Sequence, residues 1–368
     1  MPYKKLHLWL AADMLLLLLF RLLRGNRALV NAVTERVTGP LRRMLGRISY
    51  LTDVSIMEVL DVLAVLAVLA WLVWTIRTAV RAVGRREKLL RTYGSVLGLA
   101  CAGLSVWAGF CFLWGLGYWA DGFQEKSGIY AQPVAQEDLL AVTAYFAEQA
   151  ARTAEGVARD EEGRFAVPRE EILADSVRVY DGITETFPFL AFDDPGIKAM
   201  RFSRIMSALG FTGVYCAYTG ESNVNVDSPA CILPSTVAHE LGHQRGFASE
   251  QECNFLSILA STSSGLPAYE YSGWLQGYIY LGSALYPVDP DSYWAIREAL
   301  SEHVQRDLKE NNAYWAQFQD STAQRASNRI YDGILKSYGD ERGIQSYGTV
   351  VDLLTVYYRD AAQADSKR

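Results

Sequence analysis

The sequence predicts a mainly α protein in which N-terminal transmembrane helices precede a mostly helical α+β domain with a small sheet. Three observations carry this reading. Three apolar runs crowd the first 120 residues, the charge balance reverses near residue 120, and the remainder shows helical periodicity broken by a short strand-like run at Val214–Tyr218. Residues 1–120 hold 15 Lys/Arg against 6 Asp/Glu, whereas residues 121–368 hold 20 against 35. Two domains are therefore expected, a membrane domain over 1–120 and a soluble one over 121–368. The acidic domain repels phosphates, which argues against a nucleic-acid partner. The apolar runs make a lipid bilayer the expected partner of the basic part.

The spans come first in chain order. The first run, about 6–23, carries five leucines at 15–19 and is interrupted by Asp13 and Arg21; the second, about 59–76, contains Asp61; the third, about 93–118, has no charge. Each suits a hydrocarbon core of ~30 Å, which takes ~20 helical residues. Lys4 and Lys5 precede the first run as in a signal peptide, but no small-x-small cleavage site follows, so a retained anchor is expected. Arg77, Arg81, Arg85, Arg86, Lys88 and Arg91 favour a cytoplasmic loop between the second and third spans. Arg24, Arg27, Arg36, Arg42, Arg43 and Arg47 compete from the other side of the second span. Residues 121–150 carry one Lys and no Arg, which breaks the tie. The soluble domain of this multi-pass cell-membrane protein is thus expected outside the cytoplasm, with 24–47 lying on the outer leaflet as a basic amphipathic helix.

The soluble part opens with D-G-F-Q-E-K-S-G, which reads as a linker. Helices are expected at roughly 137–159, from Arg169 to about 185, and over 197–209. Val214–Tyr218 reads as a strand, followed by a polar loop, T-G-E-S-N-V-N, at 219–225. Ser235 is placed to cap the next helix. Residues 250–364 read as helices punctuated at Gly265–Pro267, Pro287–Pro290 and Gly339. Cys216 and Cys231 flank the polar loop and are candidates either for a disulfide or for buried thiols.

The chemistry concentrates in H-E-L-G-H at 239–243. Histidines four apart on a helix share a face about 5–6 Å apart, close enough to ligate one zinc ion. Glu240 between them has the position of a general base beside a zinc-activated water. A third ligand is needed. A helix running straight on would carry a residue seven beyond His243 ~10 Å away along the axis. Gly246 can end the helix in a left-handed turn and bring Glu250 or Glu252 back to the metal. Ser249 stands where metzincins have a third histidine and is a poor ligand. The Glu250–Asn254 spacing resembles the E-x-x-x-D of gluzincin-type metalloproteases, with Asn254 in the place of the residue that holds a ligand histidine. Glu250 is preferred on that basis, with Glu252 as the alternative.

W-G-L-G-Y at 114–118, T-G-E-S-N-V-N at 219–225, L-P-S-T-V-A-H-E-L-G-H-Q-R-G-F-A-S-E-Q-E-C-N-F at 233–255 and Y-S-G-W-L at 271–275 together resemble bacterial domain-of-unknown-function family 3810 (DUF3810). The resemblance covers nearly the whole chain. It implies a membrane-anchored zincin-like domain with one Zn2+ held by His239, His243 and a downstream glutamate, and Glu240 as base.

The expected function is zinc-dependent hydrolysis of peptide bonds in a peptide or protein substrate. Val214–Tyr218 is the candidate edge strand for binding it, and Tyr271 and His303 are candidate oxyanion helpers. Two alternatives are a zincin-fold membrane sensor or binding protein without proteolysis, and a zinc amidase acting on cell-envelope substrates. The sequence leaves substrate and oligomeric state open.

Overall fold

The computed structural model describes residues 2–319, 321–337 and 348–365, so the expected break at Gly339 lies outside the described residues. The chain divides into two compact units: residues 1–120 with 217–220, and residues 121–216 with 221–368.

The first unit contains α1 (Lys4–Leu23), α2 (Arg27–Val33), a π-helical turn (Thr34–Thr38), α3 (Gly39–Ser49), α4 (Ile56–Val80), α5 (Arg85–Leu113) and a 3₁₀ turn (Gly115–Trp119). Helices α1, α4 and α5 are long and apolar enough to cross a membrane. Helix α5 starts eight residues before the apolar run and ends at Leu113, because the backbone leaves the α-helix at Trp114 and continues as the 3₁₀ turn.

The register of the three helices follows from their side chains. Cys101 Sγ reaches the Leu6 carbonyl, Ser105 Oγ donates to Asp13 Oδ1 at 2.9 Å, and Phe20 meets Phe112 edge-on, so α1 and α5 run parallel. Thr75 hydrogen-bonds Ser95 and Arg91 donates to the Thr78 carbonyl, so α4 runs antiparallel to α5. Asp13, which interrupts the first apolar run, is buried against α5, and Trp9 Nε1 donates to the same Ser105 hydroxyl at 2.7 Å. A polar side chain in a span is tolerated when it turns inward to a hydrogen-bonding neighbour.

The second unit is built from α6 (Phe123–Ser127), α7 (Gln136–Ala154), α8 (Arg169–Asp175), β1 (Lys198–Ala199), α9 (Ser203–Leu209), β2 (Gly213–Cys216), β3 (Glu221–Val224), α10 (Leu233–Gln244), α11 (Glu250–Thr262), α12 (Pro267–Leu285), α13 (Pro290–Ala299), α14 (Glu302–Ala316), α15 (Thr322–Ser337) and α16 (Gly348–Asp365). Its core lies where α7, α11, α12 and α16 converge. Phe146, Trp274 and Tyr358 meet there edge-to-face at 4.8–5.6 Å, a favoured aromatic geometry.

The expected linker at 121–128 contains α6. The helix expected from 169 to 185 stops at Asp175 and continues as 3₁₀ turns. The stretch 197–209 splits into β1 and α9, because Lys198 and Ala199 pair in parallel with Asn223 and Val224.

The polar loop at 219–225 contains β3, the central strand of the order β1-β3-β2. Its first three residues are polar yet buried, as is Val224, which removes the alternation by which a strand is recognised. Their burial is supported by side-chain bonds: Lys198 Nζ pairs with Glu221, and Ser222 Oγ donates to the Glu240 carbonyl at 3.0 Å. Cys216 and Cys231 are both free thiols, with Cys231 Sγ turned toward the Asp307 carbonyl.

Candidate metal centre

Helix α10 begins at Leu233 with Pro234 in its first turn, so Ser235 lies inside the helix rather than capping it. The Ser235 N–H, which has no partner within its own helix, instead donates to Ser272 Oγ of α12 at 3.0 Å. One turn apart on this helix, the His239 and His243 rings meet edge-on with centroids 4.7 Å apart. Glu240 lies beside β2, where Gly213 leaves it room: a Cβ at 213 would stand 2.5 Å from Glu240 Oε1. The carboxylate is 4 % exposed, and its Oε2 has no hydrogen-bond partner among the described residues. Burial pushes the Glu240 carboxyl up to about 7 against the opposing pull of the two histidines.

Gly246 ends the helix as its position predicts. It adopts φ 103°, its N–H donates to the His243 carbonyl at 2.9 Å, and Phe247 N–H closes back toward Gly242. Ser249, expected to be a poor ligand, caps α11 by accepting from Glu252 N–H. The turn delivers Glu250 to the histidines: its Oε2 lies 3.2 Å from His239 Nε2 and its Oε1 3.5 Å from His243 Nε2. Glu252 points elsewhere and accepts from the Phe123 and Gln124 N–H groups at 2.8 and 3.1 Å, capping α6. The geometry therefore separates the two candidates: Glu250 joins the cluster, and Glu252 supports the fold.

His243 Nδ1 donates to the Phe247 carbonyl at 2.8 Å, which turns Nε2 toward Glu250. A ring nitrogen fixed in this way sets the tautomer a metal requires. This support was expected from Asn254, whose side chain hydrogen-bonds neither histidine; the tight turn at Gly246 puts a backbone carbonyl in its place. Burial opposes charge on His243, but the neighbouring Cys253 and Glu250 hold its pKa well above the usual imidazole range. Burial likewise opposes charge on Glu250, and the two histidines nonetheless hold it well below the usual carboxylate range.

A brace not foreseen from the sequence fixes α10 from behind. Tyr180 OH donates to the Ala238 carbonyl at 2.9 Å, and the Arg245 guanidinium lies 3.6 Å over the Tyr180 ring. Arg245 also donates to Asp194 Oδ1 and to the Leu190 carbonyl, each at 2.8 Å, and the Arg–Asp pair is almost fully buried.

The residues fit a metal. Donors around one tetrahedral ion with bonds of ~2.0–2.1 Å stand about 3.3 Å apart, and the two His–Glu separations lie within about 0.2 Å of this. The three donor atoms fall within 4.8 Å of one another. Two imidazoles and a carboxylate are a donor set suited to zinc. Glu240 Oε2, buried without a partner beside this triangle, is the orphaned acceptor that a water in such a site would satisfy.

The two oxyanion candidates fall outside the cluster. Tyr271 OH is committed to the buried Asp307, which also pairs with the partly exposed Arg159, and His303 Nδ1 faces the Gly163 carbonyl. The expected strand at 214–218 forms as β2 and ends at Cys216.

The family described as Protein of unknown function (DUF3810) matches residues 35–355. The chain belongs to this family. The DUF3810 match takes in α4, α5, the sheet and the whole His239–His243–Glu250 cluster. No curated protein and no solved structure matches the chain.

Proposed function

We propose that this protein is a membrane-anchored zinc peptidase of zincin-like type, acting outside the cytoplasm. The observation that carries the reading is the triangle of His239, His243 and Glu250 with Glu240 buried beside it. Zinc bound there would supply the Lewis acidity that activates water and polarises a scissile carbonyl. Glu240, whose buried Oε2 has no hydrogen-bond partner among the described residues, would take the proton from that water and return it to the leaving amine. The β2 strand forms an edge of the sheet next to Glu240, so an extended peptide added along it would pass the base. His239 and Glu250 are partly exposed, which leaves the cluster a side open to substrate.

The test compares extracytoplasmic proteins from cells carrying wild type and Glu240→Gln. One or more substrates are expected to accumulate uncut only with the variant, with hydrolysis reduced roughly 10²–10⁴-fold. Identical cleavage patterns in the two strains would remove the peptidase reading.

A further inference from the structure

The segment between the first two spans carries three distinct faces on adjoining helical turns. Thr38, Arg42, Gly46 and Ser49 are buried, and Ser49 Oγ donates to the Thr219 carbonyl at 2.8 Å. Val37, Leu41, Met44 and Ile48 form an exposed apolar stripe at i, i+4, i+7 and i+11. Arg36, Arg43 and Arg47 are exposed on the adjacent line.

The arginines differ in what they touch. Arg24 and Arg42 lie 5.0 and 5.1 Å over the rings of Trp119 and Trp114. Arg36, Arg43 and Arg47 form no ion pair or hydrogen bond among the described residues. Between residues 24 and 52 there are six arginines against one acid, Glu35. Those three charges therefore lack an anion within their own segment.

The position of the segment says what meets it. Because α1 and α5 run parallel and α4 antiparallel, the end of α1, the start of α4 and the end of α5 share one end of the helix bundle. The segment lies at that end, together with Trp114 and Trp119. Tryptophan is the residue type that marks a membrane–water boundary.

We propose that the π turn and α3 form a docking surface for anionic phospholipid headgroups. The stripe of Val37, Leu41, Met44 and Ile48 enters the acyl boundary, and Arg36, Arg43 and Arg47 hold the phosphates. An apolar face bordered by arginines is the pattern of a helix lying in the plane of an anionic interface. The surface also gives the second basic cluster of the membrane unit a role besides topology: its charge is neutralised by lipid, so it need not compete with the 77–91 cluster in setting orientation.

The experiment reconstitutes the full chain in nanodiscs of phosphatidylcholine mixed with phosphatidylglycerol. The lipid retained around the protein after detergent extraction is then quantified by mass spectrometry. Wild type is expected to hold phosphatidylglycerol above its bulk share. The triple variant Arg36→Gln, Arg43→Gln, Arg47→Gln is expected to fall to the bulk share, since each such arginine contributes roughly a fivefold preference near an anionic surface. A second triple, Arg77→Gln, Arg81→Gln, Arg86→Gln, is expected to keep the enrichment; unchanged helicity by circular dichroism checks that both variants fold. No enrichment in wild type, enrichment that survives the first triple, or loss that follows only the second overturns the proposal.

Discussion

At the residue scale, the site is held by groups far apart in sequence. Arg245 sits two residues after His243, and its buried partner Asp194 is 51 residues away. Removing one member of a buried ion pair strands the other, which typically costs about 3–5 kcal/mol. Arg245→Met is therefore expected to lower the thermal midpoint substantially, and Arg245→Met with Asp194→Leu to recover most of the loss; a double variant no better than the single would show that the pair is not the source. None of this was readable beforehand, because no periodicity or spacing links residues 194 and 245. The same holds for Glu252, whose carboxylate caps α6 from 129 residues away. The His239–His243 spacing was readable because one helical turn is a local rule.

At the scale of elements, Gly246 and β3 mark the two extremes of legibility. Gly246 declared itself, since a glycine just past a helical run predicts a left-handed end, and that turn is what brings Glu250 back. The strand β3 was hidden because buried polar residues satisfied by Lys198 and by the Glu240 carbonyl imitate the composition of a loop. Strand β2 carries a prediction of its own. A methyl at Gly213 would stand 2.5 Å from Glu240 Oε1 and 2.6 Å from its Cγ, so this buried side chain must move. Gly213→Ala should therefore displace Glu240. A displacement of ~1 Å at a catalytic group can cost about a hundredfold. Peptide hydrolysis should fall by at least about tenfold with zinc retained; full activity would mean that the position of Glu240 does not matter to the reaction.

At the scale of the whole molecule, the apolar runs made three long helices legible, and α1, α4 and α5 have the length and hydropathy to span a bilayer. The proposed orientation is checked by reporter fusions: a phosphatase active only outside the cytoplasm should be active after residue 130 and inactive after residue 83, and the reverse pattern would invert the topology. The central claim is that one zinc ion is held by His239, His243 and Glu250. Metal analysis of the purified full-length protein tests it most directly. Wild type, Glu240→Gln and Glu252→Gln are expected to carry one zinc per chain, and His243→Ala and Glu250→Gln to fall to background. Background zinc in the wild type, or equal zinc in all five proteins, would contradict the account.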